Sequence, residues 1–460
     1  MWRQRPIQIS TLSISKILFE TPALMAQNVT TTTADERLSC VVVGAGPAGL
    51  VALKVLRQKG MHAVALERED DVGGNWYFGR NSSSVYQSTH LITSKRFTEF
   101  PGFPMPDDYP AYPRHEQMLA YTRAFAKHHG LYDSIRFNAN MVQATPDAQG
   151  WRLHIEGSQT PLFCDNLIVA TGNYWCPRLP SFSGEFTGRI MHSREYKSPD
   201  QVRDKHVVVV GNGNTGCDLA VESGHVAKKV VLSVREGRFL MPKFMFGLPS
   251  DQVGDWTFKW GMPRWLRAAL SWFPMHISVG PLNLAKLPKP AHKLFARQPI
   301  MNTQLPQAIG HGRVEVKPQI ARLEGSKVHF VDGSCVQADL VICATGYQLR
   351  FPFLPADIIT WDNDHPRLYL NIAPPERDNL FFVGIIEPRT KFPELVHLQS
   401  ELIAEVLRTH EAGVSRPNAF QRTKQTAPSR SEHSQEEFLA CEYYTYRRHL
   451  QRAIRQLSLL

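Results

Sequence analysis

Two short runs of β-branched residues, each breaking abruptly into glycines, give the chain its pattern. SCVVV at 39–43 runs into GAGPAG at 44–49 and then the amphipathic LVALKVLRQKG; HVVVV at 206–210 runs into GNGNTG at 211–216 and then CDLAVES. A few consecutive apolar residues bounded by turn formers predict a buried strand, and apolar residues three and four apart predict a helix. Both stretches therefore read as strand, tight turn, helix. HAVALE after the first helix and KVVLSV after the second predict the next strand of each unit, and residues 151–155, 162–170, 326–331 and 339–343 add further strands. Helices are predicted over 112–130 and from about Glu436 to the end. Strands alternating with helices specify an α/β protein built on parallel sheets.

The glycine spacing adds chemistry to this pattern. In such a unit Gly44 makes the tight turn, Gly46 lets the backbone approach a pyrophosphate, and Gly49 lets the helix pack closely. The phosphates then face a helix N-terminus, where unpaired N–H groups and the dipole favour negative charge. Glu67 ends the next strand, at the place where a carboxylate accepts hydrogen bonds from an adenosine ribose. Gly211, Gly213 and Gly216 repeat the arrangement, but the strand that follows ends in Arg235. A cation at that point suits a 2'-phosphate, so the second coenzyme is expected to be NADPH and not NADH.

A chain of 460 residues is long enough for two or three domains, each with its own core. It is 43% hydrophobic and 20% charged, without an uncharged apolar run of membrane-spanning length, and its end, CEYYTYRRHLQRAIRQLSLL, is too charged to anchor in a bilayer. The seven cysteines are scattered and never form Cys-x-x-Cys, which points to free thiols in a reducing, cytoplasmic setting and argues against a dithiol-relay flavoprotein. Part of the formal charge of +10 is local: residues 256–314 hold Lys259, Arg264, Arg267, Lys286, Lys289, Lys293, Arg297 and Arg313 and no acid. The same segment carries Trp256, Trp260, Trp265 and Trp272. Three readings stand for it: a lid or membrane-surface helix, a docking face for an acidic carrier protein, or a subdomain core with its aromatics turned inward. Residues 1–36, with Arg3, Arg5 and Lys16 and no acid before Glu20, read as a disordered or targeting-like extension. Residues 409–435 read as a polar linker.

Between the two glycine turns lies FTGRIMHSREYK, with Phe186, Gly188, His192, Tyr196 and Lys197 spaced as Phe-x-Gly-x-x-x-His-x-x-x-Tyr-Lys. With the two fingerprints, this resembles the flavin-containing monooxygenases, the N- and S-oxygenating branch of the class B flavoprotein monooxygenases, over about residues 39–407. The resemblance implies two Rossmann-type dinucleotide-binding domains, the NADP domain inserted into the FAD domain: 37–175 and 346–408 for FAD, 176–345 for NADP with a basic aromatic insertion at 250–310, then a linker and helix at 409–460. The Ala-Thr-Gly triplets at 170–172 and 344–346 resemble the family's two crossovers between these domains. LFFVG at 380–384 and LVHLQSELIAEVL at 395–407 resemble its closing FAD strand and helix.

For the site, the resemblance implies that Asn75 and Trp76 of GGNW lie along FAD, that Thr93 lies on the flavin's substrate side, and that Gln399 faces the flavin ring. It implies that Asn214 and Thr215 contact NADPH. The interdomain motif positions the cofactors, so His192 is a positioning residue. This chain has Ile92 where N- and S-oxygenating members usually have Asn, and Glu387 where the family often has Gln. The implied activity is NADPH-dependent reduction of FAD, capture of O2 as a flavin C4a-hydroperoxide, and transfer of one oxygen to a soft nitrogen or sulfur. Baeyer–Villiger oxygenation of a ketone is the neighbouring alternative, and Ile92 leans toward it. A nucleotide-binding docking protein without turnover is the alternative from another class. No metal site, side-chain nucleophile or nucleic-acid partner is expected.

Overall fold

Strand β1, Leu38–Val43, is buried at all but one position and sits at the centre of the first sheet. The computed structural model describes residues 37–279, 286–294, 297–411 and 434–458; the expectations for 1–36 and for the linker at 412–433 lie outside them. Helix α1, Pro47–Gln58, begins at Gly46 and buries Leu50, Val51, Leu53, Val55 and Leu56 on the sheet before the chain returns as β2, Ala63–Leu66. Helix α2, His115–His128, leads to β3, Ile135–Arg136, which pairs with β2 in parallel. The helix expected from residue 112 starts three residues later, because Pro113 has no N–H to give and restrains the residue before it.

Strands β4, Met141–Pro146, β5, Trp151–Ile155, and β6, Leu162–Val169, form an antiparallel meander. β6 then runs parallel to β1 with Val43 opposite Val169. The sheet order is β3-β2-β1-β6-β5-β4.

The chain next leaves this sheet. β7, Gly184–Phe186, is followed by β8, Arg189–His192, and β9, His206–Val210. Helix α3, Asn214–Ser223, and strand β10, Lys229–Ser233, complete the second strand, turn and helix unit. The excursion that follows holds α4, Ser250–Lys259, α5, Arg264–Val279, and α6, Gln304–Gly310. β11, Glu315–Lys317, a hairpin of β12, Ile320–Gly325, with β13, Lys327–Phe330, then β14, Cys335–Gln337, and β15, Leu340–Cys343, bring the chain back. The second sheet is all parallel, β11-β10-β9-β15-β8, while β14-β13-β12-β7 form a small sheet whose apolar face shares a core with Val208, Val231 and Val341.

β16, Leu380–Phe382, rejoins the first sheet alongside β6. Every strand of the second sheet therefore lies in sequence between β6 and β16, so one Rossmann-type unit is inserted into the other. The two-residue strand β17, Glu387–Pro388, precedes α7, Phe392–Glu411, which packs on α1. A single helix was expected from Glu436; the chain instead makes a short α8, Gln435–Leu439, pairs as β18, Ala440–Cys441, with β17, and only then forms α9, Tyr443–Ser458, against α7.

Among the described residues, most of the large aromatics of α4 and α5 are not turned into a core, although Leu287, Ile300 and Leu305 of the same excursion are buried. Trp260 and Trp265 are 71% exposed, and Trp272, Phe273 and Ile277 are also exposed, whereas only Pro274 and Met275 of the described α5 side chains are buried. What ties α4 down is polar. Asp255, buried, accepts from Lys391 Nζ (2.7 Å), Tyr444 Oη (2.6 Å) and Lys259 Nζ (2.9 Å), and Asp251 accepts from the Ser94 backbone N–H (2.6 Å).

Candidate active site between two glycine turns

Both glycine turns are forced by close approach. Gly44 has φ +105°, and a Cβ on it would stand 2.8 Å from the Ala170 carbonyl oxygen; Gly211 has φ +103°, and its Cβ would stand 2.6 Å from the Ala344 oxygen. Each third glycine backs the turn: a Cβ on Gly49 would lie 1.9 Å from the Gly44 oxygen, and one on Gly216 2.0 Å from the Gly211 oxygen. The middle glycines differ. Gly213 would place a Cβ with nothing within 4 Å, and Gly46 would only touch Gly74 at 3.5 Å. These two face open space, and that space is one cavity of ≈1490 Å³ lined by both turns. It exceeds the roughly 300–1,000 Å³ usual for a single small-molecule site.

The helix starts facing it are uncommitted. Neither Gly46 nor Gly213 provides a side-chain cap, and neither α1 nor α3 has an acid in its first turn, so the first-turn N–H groups remain for an anion. The donor set thus fits two dinucleotide pyrophosphates. Glu67, 4% exposed, accepts from the Ala45 (2.7 Å) and Glu69 (3.0 Å) backbone N–H groups. Burial pushes its carboxyl above the ordinary value, against the pull of those two donors. At the far end, Glu236 pairs with Arg297 (2.8 Å) and Arg238 with Glu436 (2.7 and 3.0 Å). Arg235 lines the cavity with no ion pair among the described residues.

Of the residues expected to hold nucleotides, Gly44, Gly46, Glu67, Asn75, Trp76, Thr93, Gly211, Gly213, Asn214, Thr215 and Arg235 line this cavity. Asn75 Oδ1 is already engaged by the Ser84 N–H and Oγ, and Asn214 Oδ1 by the Met301 N–H (2.9 Å), so both also hold their own loops. Gly49 and Gly216 stand behind the turns and act through packing. Gln399 does not reach the cavity. It is fully buried, accepts from the Gly384 N–H (3.0 Å) and donates to Tyr446 Oη (2.8 Å). The end of α7 that faces the cavity is its start, Phe392 and Pro393, two turns earlier.

Phe186, Gly188, His192, Tyr196 and Lys197 of the motif lie outside the cavity, which Ser193 alone of residues 186–197 lines, and the stretch works as a strap. Gly188 is required because a Cβ would stand 2.6 Å from both the Asp339 oxygen and the Phe186 ring. His192 is buried, its Nε2–H donating to the Gly346 oxygen (3.0 Å) and its Nδ1 accepting from the Arg194 N–H (3.1 Å); burial holds it neutral by lowering its pKa. Tyr196 donates to Glu222 (2.8 Å) inside the second unit. Lys197 Nζ crosses to the first unit and donates to the Ser83 (2.9 Å) and Val85 (3.1 Å) carbonyls, burial drawing its pKa down to about 8. The two crossovers themselves bond to each other, Arg178 N–H to the Gly346 oxygen (3.0 Å) and Gln348 N–H to the Cys176 oxygen (2.8 Å).

A flavin-binding monooxygenase-like family model matches residues 37–457. The chain belongs to this family. Flavin-containing monooxygenase 5 of Rattus norvegicus is 34% identical over 388 residues, 80% of this chain and 73% of that protein. Among solved structures, S-allyl-L-cysteine S-oxygenase of Allium sativum superposes with a TM-score of 0.63 at 22% identity over 91% of this chain and 89% of that one. An open form of cyclohexanone monooxygenase superposes with 0.68 at 18% identity over 92% and 98%. Membership makes the chain a flavin-dependent monooxygenase, and FAD and NADP(H) are the cofactors of that family.

Several cavity residues of this flavin-binding monooxygenase escaped the sequence reading. Tyr174, Arg178, Asp218 and Gln435 line it; only Asp218 lies in a stretch read as a motif, two residues past the second glycine turn, and was given no role. The usable signal was position: Tyr174 and Tyr347 follow the two Ala-Thr-Gly triplets, which end strands of the two sheets. Asp218 accepts from Asn302 Nδ2 (2.8 Å) and Tyr86 Oη (3.1 Å), and burial raises its pKa. No described helix is long and apolar enough to cross a membrane.

Proposed function

We propose that the protein is an FAD-dependent, NADPH-consuming monooxygenase that transfers one oxygen of O2 to a soft nitrogen or sulfur atom of a small organic substrate. The observation that carries this is the single cavity lined by both glycine turns, which lets two nucleotides meet. Gly44, Gly46 and the start of α1 would hold the FAD pyrophosphate, with Glu67 accepting from its ribose; Gly211, Gly213, Thr215 and the start of α3 would hold NADPH, with Arg235 on the 2'-phosphate. Bound flavin supplies the redox and oxygen chemistry. The chain's own part is to orient the two coenzymes, through the Lys197 strap and the paired crossovers, and to keep water from the reacting centre.

Ile92 favours a second reading. It lines the cavity where an amide would donate a hydrogen bond, and an apolar wall there accommodates the Baeyer–Villiger oxygenation of a ketone. The test is NADPH oxidation with parallel peroxide detection over a sulfide, a tertiary amine and a ketone. Stoichiometric sulfoxide or N-oxide supports the first reading, and lactone or ester alone overturns it. Purified protein that takes up no flavin on reconstitution overturns both.

We further read the exposed face of α4 and α5 as a contact surface for an anionic membrane, the protein being cytoplasmic, as seven scattered cysteines without a Cys-x-x-Cys suggest. Trp265, Trp272, Phe273 and Ile277 of α5 and Trp260 at the end of α4 are each exposed, and residues 256–314 carry no acid. Co-sedimentation with phosphatidylserine-containing vesicles is expected to fall with W260A/W265A. Equal sedimentation of the variant rejects the reading.

A further inference from the structure

Arg238 reaches the cavity by a short, braced path. It follows β10 by five residues, and the Glu236 carbonyl accepts from Asn212 Nδ2 (2.9 Å), which ties the stretch to the second glycine turn. Gly237 packs so closely on the 288–289 backbone that a Cβ there would stand 2.1 Å from the Pro288 oxygen. Arg235, Glu236, Arg238 and Arg297 all line the cavity. Their charges converge on Glu236, which is held below the ordinary carboxylate range by its hydrogen bond from Arg297 first, and by the charge of Arg235 and Arg238 after it.

The partner of Arg238 comes from the other unit. Glu436 of α8 takes both outer nitrogens, Nη1 donating to Oε1 (2.7 Å) and Nη2 to Oε2 (3.0 Å), and Glu436 also lines the cavity. α8 is anchored without this pair. Gln435, buried, accepts from the Leu349 N–H (3.0 Å) and donates to the Tyr347 carbonyl (3.0 Å), Asn371 Nδ2 donates to the Phe438 carbonyl (3.1 Å), and β18 pairs with β17. With its side chains 22% and 42% exposed, the Arg238–Glu436 pair adds little to stability, and its effect falls on the cavity.

An arginine that meets a carboxylate fork to fork presents the same paired donors to a phosphate. Arg235, Arg238 and Arg297 face Glu236 and Glu436, which leaves one positive charge over. A phosphate monoester brings a charge of about −1.5 to −2. With Glu436 in place the cluster then turns negative; with Glu436 turned out to solvent it is close to neutral. We propose that Glu436 competes with the 2'-phosphate of NADPH for Arg238, so that Arg238 is a second specificity residue beside Arg235 and α8 carries a built-in competitor that tempers the hold on the coenzyme. This rests on the NADPH reading above. When the 2'-phosphate takes Arg238, the Glu436 side chain swings away while Gln435 and β18 keep α8 where it is. NADH brings nothing that displaces Glu436.

The test is calorimetric titration of the flavin-loaded full chain with 2',5'-ADP, and with 5'-AMP, which lacks only the 2'-phosphate. Glu436→Gln is expected to tighten 2',5'-ADP by about threefold or more, as release of an exposed ion pair implies, and to leave 5'-AMP unchanged. Arg238→Gln is expected to weaken 2',5'-ADP by about tenfold or more, again with 5'-AMP unchanged, which also reports that the cradle of each variant is folded. Unchanged 2',5'-ADP affinity in E436Q overturns the proposal. Equal tightening of 5'-AMP does so too, as does a gain from E436Q that persists undiminished beside R238Q. If 2',5'-ADP outbinds 5'-AMP in the wild type and E436Q makes no difference, the competitor fails and the NADPH reading stands; if the two nucleotides bind alike in the wild type and every variant, both fall.

Discussion

Gly213 and Gly216 belong to the same turn, yet the structure assigns them opposite consequences when a methyl group is added. Gly216→Ala drives its Cβ to 2.0 Å from the Gly211 oxygen. That oxygen is backbone, in a residue held at φ +103° beneath the Ala344 carbonyl, so it cannot rotate away, and α3 must lift by about 1 Å. Overpacking of this kind costs about 1–3 kcal/mol, offset in part by the roughly 0.5–1 kcal/mol that alanine gains over glycine in a helix. At about 2–4 °C per kcal/mol for a unit of 150–250 residues, the melting temperature should drop by several degrees. Gly213→Ala meets nothing within 4 Å, and its backbone, φ −70° and ψ −179°, is one that alanine adopts freely. Its fold should be untouched.

The coenzyme reverses the ranking. The methyl of Gly213→Ala occupies the open space against the α3 N-terminus, where the pyrophosphate would approach. A steric conflict of about 1–3 kcal/mol corresponds to about 5- to 150-fold in NADP+ affinity. Thermal melts without coenzyme, paired with titration of NADP+ by tryptophan fluorescence, measure both quantities. A G213A protein that melts early, or that binds NADP+ as the wild type does, would refute the assignment of this turn to the coenzyme.

Arg235→Glu should raise the KM for NADPH by about 10- to 100-fold while leaving NADH nearly unaffected, as loss of a charge-assisted bond to a 2'-phosphate requires; equal effects on both coenzymes would place the arginine elsewhere. His192 is held neutral below its ordinary value, so the unfolded chain takes up the proton first as pH falls. Its contribution is present above about pH 6.5 and lost below it, and Tm measured at pH 7.5 and 5.5 should show a smaller gap in His192→Gln than in the wild type. Lys197→Met removes both bonds to the Ser83 and Val85 carbonyls; each nucleotide should still bind, while the fraction of NADPH oxidation that ends as peroxide rises, and unchanged coupling would show that the strap does not set the distance between the cofactors.

Much of the site was legible because a phosphate cradle is local. Strand, glycine turn and helix adjoin in sequence, and each glycine's role follows from spacing. What lies two turns into a helix is not local in that sense. Gln399 was expected at the flavin from the resemblance of 395–407 to the family's closing helix, which does not fix which turn of that helix meets the cavity; α7 begins at Phe392, and its start took that place. The aromatic segment was ambiguous for a related reason, since helical spacing of tryptophans suits a core and an exposed face alike. That Glu387 and Tyr174 line the same cavity was invisible because it depends on β16 returning beside β6 after an insertion of some two hundred residues, and pairing at that range leaves no periodic trace.

The inserted topology also explains why a motif outside the cavity stands where it does. Each cradle lies at the C-terminal edge of its own sheet, under the Ala170 carbonyl in one case and the Ala344 carbonyl in the other. The chain crosses between the units just after each of these residues. Both crossovers thus spring from the cradles' own edges, and they bond to each other through residues 176–178 and 346–348. On the proposed reading, the separation between the two nucleotides would be set less by either glycine turn than by this paired junction. His192, capping the Gly346 carbonyl from beneath, and Lys197, reaching across to the 83–85 loop, are the groups that brace it. On the proposed reading, a strap whose named residues stand outside the cavity would bear on the reaction as directly as the glycine turns.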